Sequence, residues 1–195
     1  MKKYTLTTEA MVLDGHTLYR IKALIDIPAY GVKENDLGGW VETEFCLAHE
    51  GNSWIAGNAK VFDFACVCDD ALISDNATVY GCSRISGHAH IYGEAKILSG
   101  CYIGGYVEVY EKAQVSTSTI AQEAKVHGNA EIEESHVGDS AHISDYAVVK
   151  KSDISNNAQI FNEARVINSS ISEESKIFGK ACVSDANIGG KAVID

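Results

Sequence analysis

The sequence contains little proline and no long hydrophobic run. One proline is present among 195 residues, and 46% of the residues are hydrophobic, a composition that excludes an intrinsically disordered chain. No apolar segment approaches the roughly 18 residues that a membrane span needs. Residues 1–8 are polar and lack the apolar stretch of a signal peptide. We therefore expect a cytoplasmic protein that does not associate with a membrane.

Basic residues are also scarce. The chain has 16 Lys and Arg residues against 27 Asp and Glu residues, with a formal net charge of −11, and the basic residues form no stripe. A conventional nucleic-acid-binding face is therefore not expected, whereas an acidic surface for a basic partner stays open. The six cysteines form no CxxC pair and no zinc-finger spacing, which predicts reduced, packed thiols and no metal site.

The sequence does have an internal repeat with a period of six residues. From Ser53-Ile55 to Ala192-Ile194, a small residue is followed two positions later by Ile or Val in 25 steps. An amphipathic helix cannot produce this period, whereas β-branched residues favour strands. Two positions after the aliphatic residue the chain often has Gly, Asp or Asn, which tolerate the tight backbone of a corner. These corner residues are Gly57, Asp75, Gly81, Gly93, Gly128, Asp145, Asn162 and Gly179.

The spacing of the steps indicates how the coils close. Every step up to Val115 has six residues, and after Val115 one step in three has five, so that the short steps recur every 17 residues. A shortened corner that always returns on the same side requires three sides per coil. The sequence therefore predicts an all-β fold, a triangular solenoid of about eight coils. Each coil should have 18 residues before Val115 and 17 after it, and no helix longer than two turns should interrupt residues 55–190.

The three sides differ in composition. One side has alanine at its small positions, and the short-corner side has serine at four successive small positions, where the hydroxyls either form a ladder with the backbone or merely fit. The stacked serines are Ser118, Ser135, Ser152 and Ser169. On the third side the residue after the aliphatic one should point outward. That column contains Tyr92, Tyr110, His127, Phe161 and Phe178. An outward apolar stripe predicts self-association; the alternative is that these rings only stack from coil to coil. The expected interface residues are Tyr92, Tyr110, Phe161 and Phe178.

Residues 53–195 resemble the left-handed, single-stranded parallel β-helix of the hexapeptide-repeat superfamily, and the resemblance is what implies the left hand. The motif Leu37-Gly38-Gly39-Trp40-Val41, followed by Gly51-Asn52-Ser53-Trp54-Ile55, is similar to the start of uncharacterised bacterial and phage hexapeptide-repeat proteins. Some of these carry an acetyltransferase label. We therefore expect a β-rich cap in residues 1–50 and the β-helix in residues 51–195, because a solenoid end exposes core and strand edges.

Four residues of the motif are candidates for the cap. Gly38 and Gly39 are expected to form a tight turn. Trp40 and Trp54 are expected to seal the apolar end of the solenoid, with ligand binding as the alternative role.

The resemblance also implies an activity, acyl transfer from acetyl-CoA or acyl carrier protein, with a general-base histidine on the outer surface between subunits. His90 and His142 each precede an inward isoleucine on the aromatic side and should face outward, so they are the candidate catalytic residues if the protein is an enzyme. Each could equally be a solvated or interfacial histidine. No step between Ile55 and Ile194 exceeds six residues, which leaves no room for an inserted catalytic loop.

Three functions remain open, because a fold alone does not settle function. The first is a non-catalytic scaffold or protein-interaction module without a cofactor, which self-associates through flat faces as a dimer or trimer or binds another protein. The second is a CoA-dependent acyltransferase with its active site between subunits and acetyl-CoA as cofactor. The third is an acidic phage-type inhibitor of a host protein, suggested by the clusters Glu131-Glu133-Glu134 and Glu173-Glu174, which could equally be solvated corners. The last repeat, residues 192–195, lacks a polar cap, so we expect either charged groups such as Lys191 and Asp195 to fold over it or, the alternative we favour, a second copy or a partner to cover it.

Overall fold

Short parallel strands stacked into three sheets form the body of the protein in a computed structural model that describes residues 2–195. We name the sheets the alanine face, the serine face and the aromatic face. The alanine face contains β1 (Tyr4–Leu13), β2 (His16–Ala23), β3 (Leu37–Val41), β5 (Lys60–Val61), β8 (Thr78–Val79), β11 (Lys96–Ile97), β14 (Gln114–Ser116), β17 (Glu131–Glu133), β20 (Val148–Lys150), β23 (Arg165–Ile167) and β26 (Cys182–Ser184).

The other two faces contain only strands of two residues. The serine face contains β6 (Cys66–Val67), β9 (Arg84–Ile85), β12 (Tyr102–Ile103), β15 (Thr119–Ile120), β18 (His136–Val137), β21 (Asp153–Ile154), β24 (Ser170–Ile171) and β27 (Asn187–Ile188). The aromatic face contains β4 (Trp54–Ile55), β7 (Leu72–Ile73), β10 (His90–Ile91), β13 (Glu108–Val109), β16 (Lys125–Val126), β19 (His142–Ile143), β22 (Gln159–Ile160), β25 (Lys176–Ile177) and β28 (Val193–Ile194). The aromatic face thus has nine strands, so the solenoid has about nine turns rather than the expected eight.

Strand register confirms the predicted change in coil length. Lys60 pairs with Thr78, 18 residues on, whereas Ile103 pairs with Ile120, 17 residues on. The only helical segments in residues 2–195 are two 3₁₀ turns, Pro28–Tyr30 and Glu44–Cys46, so no helix interrupts the coils.

The repeating aliphatic residues form the core. The Ile or Val of each step from Ile55 to Val183 is buried, and Ile188 and Ile194 in the last coil are half-buried and pack against the same cluster. Alternation along each two-residue strand sends one side chain inward and its neighbour outward. The predicted inward column is therefore confirmed over all but the last coil.

Corner residues adopt the backbone conformation that their types predicted. All eight corner positions identified from the sequence have φ between 57° and 74°, the left-handed region that Gly, Asn and Asp tolerate best. At the five-residue corners the residue with positive φ is never glycine. These residues are Thr117, Glu134, Lys151, Asn168 and Asp185.

The serine hydroxyls form the ladder that the sequence left open. Ser152 Oγ donates to the Lys150 carbonyl at 2.7 Å and accepts from the Ser169 N–H at 3.1 Å. The same two hydrogen bonds recur at Ser118, Ser135 and Ser169. Each serine hydroxyl therefore takes part in the hydrogen bonding of its corner, and serine does not merely fit there by its size.

An antiparallel hairpin closes the N-terminal end. β1 pairs with β2, β2 pairs antiparallel with β3, and β3 then pairs in parallel with β5 of the first repeat. The expected tight turn at Gly38 and Gly39 is wrong, because both glycines lie inside β3. A Cβ atom on Gly38 would come within 2.6 Å of the Ile55 carbonyl oxygen, so glycine is needed there for close approach of two strands.

Both tryptophans of the motif are buried at this end. Trp54 is 1% exposed in the main core, and Trp40 packs with Leu18 and Phe62 in a second cluster under the hairpin. The Arg20 guanidinium lies 5.1 Å from the centre of the Trp40 ring, a distance at which a cation–π contact forms. Trp40 and Trp54 therefore both have the surroundings of residues that pack in a core. Within residues 2–195, no helix has the length and apolar character that crossing a membrane requires.

Candidate functional site

A column of aromatic rings runs along the aromatic face and connects both candidate histidines. Successive ring centres are 4.3–4.9 Å apart, within one coil for His90 and Tyr92 and from coil to coil for the others, and the middle rings are nearly parallel. The column contains, in order, His90, Tyr92, Tyr110, His127 and His142. Strand register places His90 and His142 three coils apart, so the two candidate bases lie near opposite ends of one stack. They do not form a common site.

The aromatic side chains of this face are half-buried by one another. Tyr92, Tyr110, Phe161 and Phe178 are each of intermediate exposure, and the Phe161 and Phe178 rings stack 5.1 Å apart with an interplanar angle of 4°. Rings stacked along the axis shield each other's faces and leave their edges accessible. The stacking that the sequence left as an alternative to self-association is thus present.

His90 is held within the face. Its Nε2 lies 3.0 Å from Ser74 Oγ, and its ring lies 4.3 Å from the Tyr92 ring. Burial lowers the pKa of His90, although Glu108 and Asp75 oppose the shift. A neutral imidazole can accept a proton, but the nitrogen that faces Ser74 already has a hydrogen-bonding partner.

His142 belongs to a three-residue relay that the sequence did not indicate. Its Nε2 lies 2.6 Å from His127 Nε2, and His127 Nδ1 lies 3.6 Å from Glu111 Oε2. Burial, followed by the neighbouring His127, lowers the pKa of His142. The two facing nitrogens need one proton between them, so one ring donates this hydrogen bond and the other accepts it.

The open side of His142 faces a shallow groove of about 450 Å³. Tyr106, Glu108, Glu123, Lys125 and Ser140 complete its lining. The Lys125 ammonium and the Glu108 carboxylate are 3.0 Å apart and pair with each other. Of the two candidate bases, His142 therefore has the better access to a small molecule or to a second chain.

Acidic residues on the corners pair with lysines of the next coil. Glu133 lies 2.6 Å from Lys150 Nζ, and Glu134 lies 3.7 Å from Lys151 Nζ. Glu174 of the second acidic cluster lies 3.2 Å from Lys191 Nζ. Each exposed pair contributes little stability, but the pairing partly neutralises both acidic clusters.

A polar groove of about 940 Å³ follows the five-residue corners along the solenoid axis. Buried serines form its floor, and exposed charged and amide side chains form its two edges. Lining residues include His136, Lys151, Asp153, Asn168 and Asp185. The shorter corner brings the two edges together, so the drop from six to five residues was the signal in the sequence.

A more enclosed cavity lies at the N-terminal end and involves none of the predicted site residues. The cavity measures about 510 Å³ and lies between the start of β2, the Glu44–Cys46 turn and the second corner of the repeat, which contains Asp63 and Phe64. We name it the N-terminal cleft. It is lined by His16, Glu42, Thr43, Phe45, Cys46, Asp63, Phe64, Ala65 and Cys66. The sequence could have indicated this cavity through Phe64, because it places a large aromatic residue at a repeat position where the following coils have Cys82 and Gly100.

No protein-family model matches this chain, and no curated protein matches it. The function must therefore be argued from the fold and from these surfaces. Among residues 2–195, no group of three or more His, Cys, Asp or Glu side chains is placed to hold a metal ion.

Proposed function

We propose that the chain is a non-catalytic, left-handed β-helix scaffold of the hexapeptide-repeat superfamily, which binds other copies of itself and other proteins through its flat faces. The observation that carries this proposal is the unbroken surface of the solenoid. From β4 to β28, two- and three-residue strands alternate with corners, and the register is continuous on all three faces. Flat, regular faces provide a large rigid area for protein contact, whereas catalytic residues usually lie on loops.

The aromatic face is the proposed surface for self-association into a dimer or trimer. Its ring edges remain accessible along the stack, and aromatic residues are enriched where proteins associate. We expect Tyr110→Lys combined with Phe161→Lys to lower the mass in solution, measured by light scattering, because two charges would enter the contact.

Leu98→Lys is the matched control for this experiment. Leu98 is half-buried and occupies the same position, directly after an inward aliphatic residue, on the alanine face. It should leave the mass unchanged, and circular dichroism melts should show all variants folded. A wild type that is monomeric, or a mass that the double variant does not alter, contradicts self-association through this face.

One observation favours the second function, a CoA-dependent acyltransferase with an active site between subunits. His142 lines a groove, has a lowered pKa and is contacted by His127, and these are features of a general base. Under the scaffold proposal, calorimetry should detect no acetyl-CoA binding. Acetyl transfer to a common amine or hydroxyl acceptor that disappears in His142→Ala, but not in His136→Ala, would replace the scaffold proposal with the enzyme.

A further inference from the structure

The N-terminal cleft is built from three segments that are distant in the sequence. His16 begins β2, Cys46 ends the 3₁₀ turn, and Ala65 follows the second corner of the repeat. Cys46 and Ala65 are buried, so the floor of the cleft is apolar. The cavity of about 510 Å³ falls within the range of roughly 300–1,000 Å³ that small-molecule sites occupy.

Two phenylalanines stand at the rim of this cleft with their rings in solvent. Phe45 is 91% exposed and Phe64 is 84% exposed, the largest exposed fractions among the large hydrophobic side chains of residues 2–195. Phe64 also has φ of 61° and follows Asp63 at 52°. A bulky residue in the left-handed region is strained. The residues at the same repeat position one and two coils on, Cys82 and Gly100, have φ of 58° and 70°, so the corner conformation of the repeat is what holds the Phe64 ring outward.

The charges in the cleft wall leave one carboxylate unpaired. Glu42 Oε1 lies 2.8 Å from His16 Nδ1, and Glu42 Oε2 accepts the Asp63 N–H at 2.8 Å. The hydrogen bond to Glu42 raises the pKa of His16, so this imidazole retains its proton more readily and balances Glu42. The Asp63 carboxylate has no ion-pair partner within residues 2–195, and the cleft therefore has a net negative charge.

We propose that the N-terminal cleft binds a small organic cation, an ammonium group attached to an aromatic or alkyl body. The apolar floor receives the body of the ligand. The ammonium group lies at the rim, where Phe45, Phe64 and Asp63 line the cavity and where both an aromatic ring and a carboxylate favour positive charge. This site lies between the alanine and serine faces, away from the aromatic face proposed for self-association, so its presence or absence does not bear on the scaffold proposal.

Three matched probes test the charge preference on the full-length protein. They are 2-phenylethylamine, 2-phenylethanol and phenylacetate, which share a ring of one size and differ in charge. Ligand-observed NMR and calorimetry should show that the amine binds about tenfold more tightly than the alcohol, since one cation–π contact and one carboxylate together account for such a factor. Phenylacetate should bind more weakly than the alcohol. Equal binding of the three probes, tighter binding of the anion, or no amine binding overturns the proposal.

Two variants test the location of the site. Phe45→Ala removes a ring that is 91% exposed and so should not disturb folding, and Phe64→Gly removes the other ring at a position where glycine tolerates the observed φ. Each should weaken amine binding severalfold. Tyr146→Ala, at an exposed aromatic 64% accessible on a distant corner, is the control and should not alter it.

The test also separates a ligand from a second copy of the chain. If Phe45→Ala converts a dimer into a monomer by light scattering while amine binding is absent, the cleft is a protein interface and the small-molecule proposal is wrong. If the amine signal persists unchanged in both Phe variants, the cation binds elsewhere and the proposal is equally wrong.

Discussion

The stacked serines replace a hydrogen bond that the shorter corner removes. At most six-residue corners the small residue donates its N–H to a carbonyl three positions earlier, as Ala141 does to Gly138 at 3.2 Å, although the Cys101 N–H already donates to Ser83 Oγ at 3.2 Å. At the five-residue corner the Ser152 N–H instead donates to Ser135 Oγ at 3.1 Å. Buried backbone N–H groups need an acceptor, and serine supplies one from the preceding coil.

We expect Ser152→Ala to destabilise the protein by about 1–3 kcal/mol, because the buried Ser169 N–H would lose its acceptor. Urea unfolding followed by circular dichroism measures the difference. Ser155→Ala is the control, since Ser155 is half-buried at a six-residue corner and contributes its backbone carbonyl, which accepts the Ala158 N–H at 3.3 Å. Equal unfolding midpoints for the two variants would show that the hydroxyl ladder has no structural role.

At the scale of a secondary-structure element, β3 links two architectures. Its upstream edge pairs antiparallel with β2 of the hairpin, and its downstream edge pairs in parallel with β5 of the first repeat. Two glycines allow β3 to lie directly against the first coil, since a Cβ atom on Gly39 would come within 2.5 Å of Ile55 Cγ2 and 2.6 Å of the Ala59 carbonyl oxygen. The hairpin can therefore cover the core without a gap.

Gly39→Ala should destabilise the protein by about 1–3 kcal/mol or more, as expected for a methyl group forced into a packed interior. Gly189→Ala provides the comparison, because a Cβ atom there meets nothing closer than Ser172 Oγ at 3.3 Å. Thermal melts of the two variants measure the difference. Melting temperatures equal to that of the wild type in both cases would show that β3 shifts freely.

At the scale of the whole molecule, a solenoid must close its core at each end. Lys3 contributes to this closure at the N-terminal end, where it is 1% exposed and its Nζ donates to the Ser53 carbonyl at 2.7 Å and to Ser53 Oγ at 3.1 Å. Burial lowers the pKa of Lys3 from 10.5 to about 8, although Asp70 opposes the shift. Tyr4 adds hydrogen bonds from its hydroxyl to two carbonyls of the neighbouring turn.

This burial predicts a pH dependence of stability. Between pH 8 and 10.5 the folded protein has released the Lys3 proton that the unfolded chain still binds, so the free energy of unfolding increases with pH in this window. The increase is at most about 3 kcal/mol. Unfolding of wild type and Lys3→Met at about pH 7 and about pH 10 isolates the effect. The wild type should gain stability relative to Lys3→Met as the pH rises, and a constant or opposite difference contradicts the prediction.

The sequence by itself determined the coil, because each step repeats the same local pattern of residue types. A small residue, an inward β-branched residue and a corner residue such as Asn162 recur at a fixed interval, and β-branching and positive φ are local preferences. The loss of one residue per coil after Val115 is enough to place the short corner on one face. The alternating strand likewise indicated that His90 and His142 face outward.

Only the tertiary structure decided which side chains contact one another across neighbouring coils and across segments that are distant in the sequence. The axial spacing brings His127 against His142 and stacks Phe161 on Phe178, contacts that depend on ring orientation. From the sequence, Gly38 and Gly39 were predicted to form a turn. The residues whose close approach requires glycine at these positions lie 16 or more residues away in the chain, so the sequence pattern did not indicate them. The N-terminal cleft joins His16 to Asp63 through the docking of a hairpin that has no repeat. Periodicity specifies neighbours one coil apart, whereas a site between unlike segments exists only once the chain has packed.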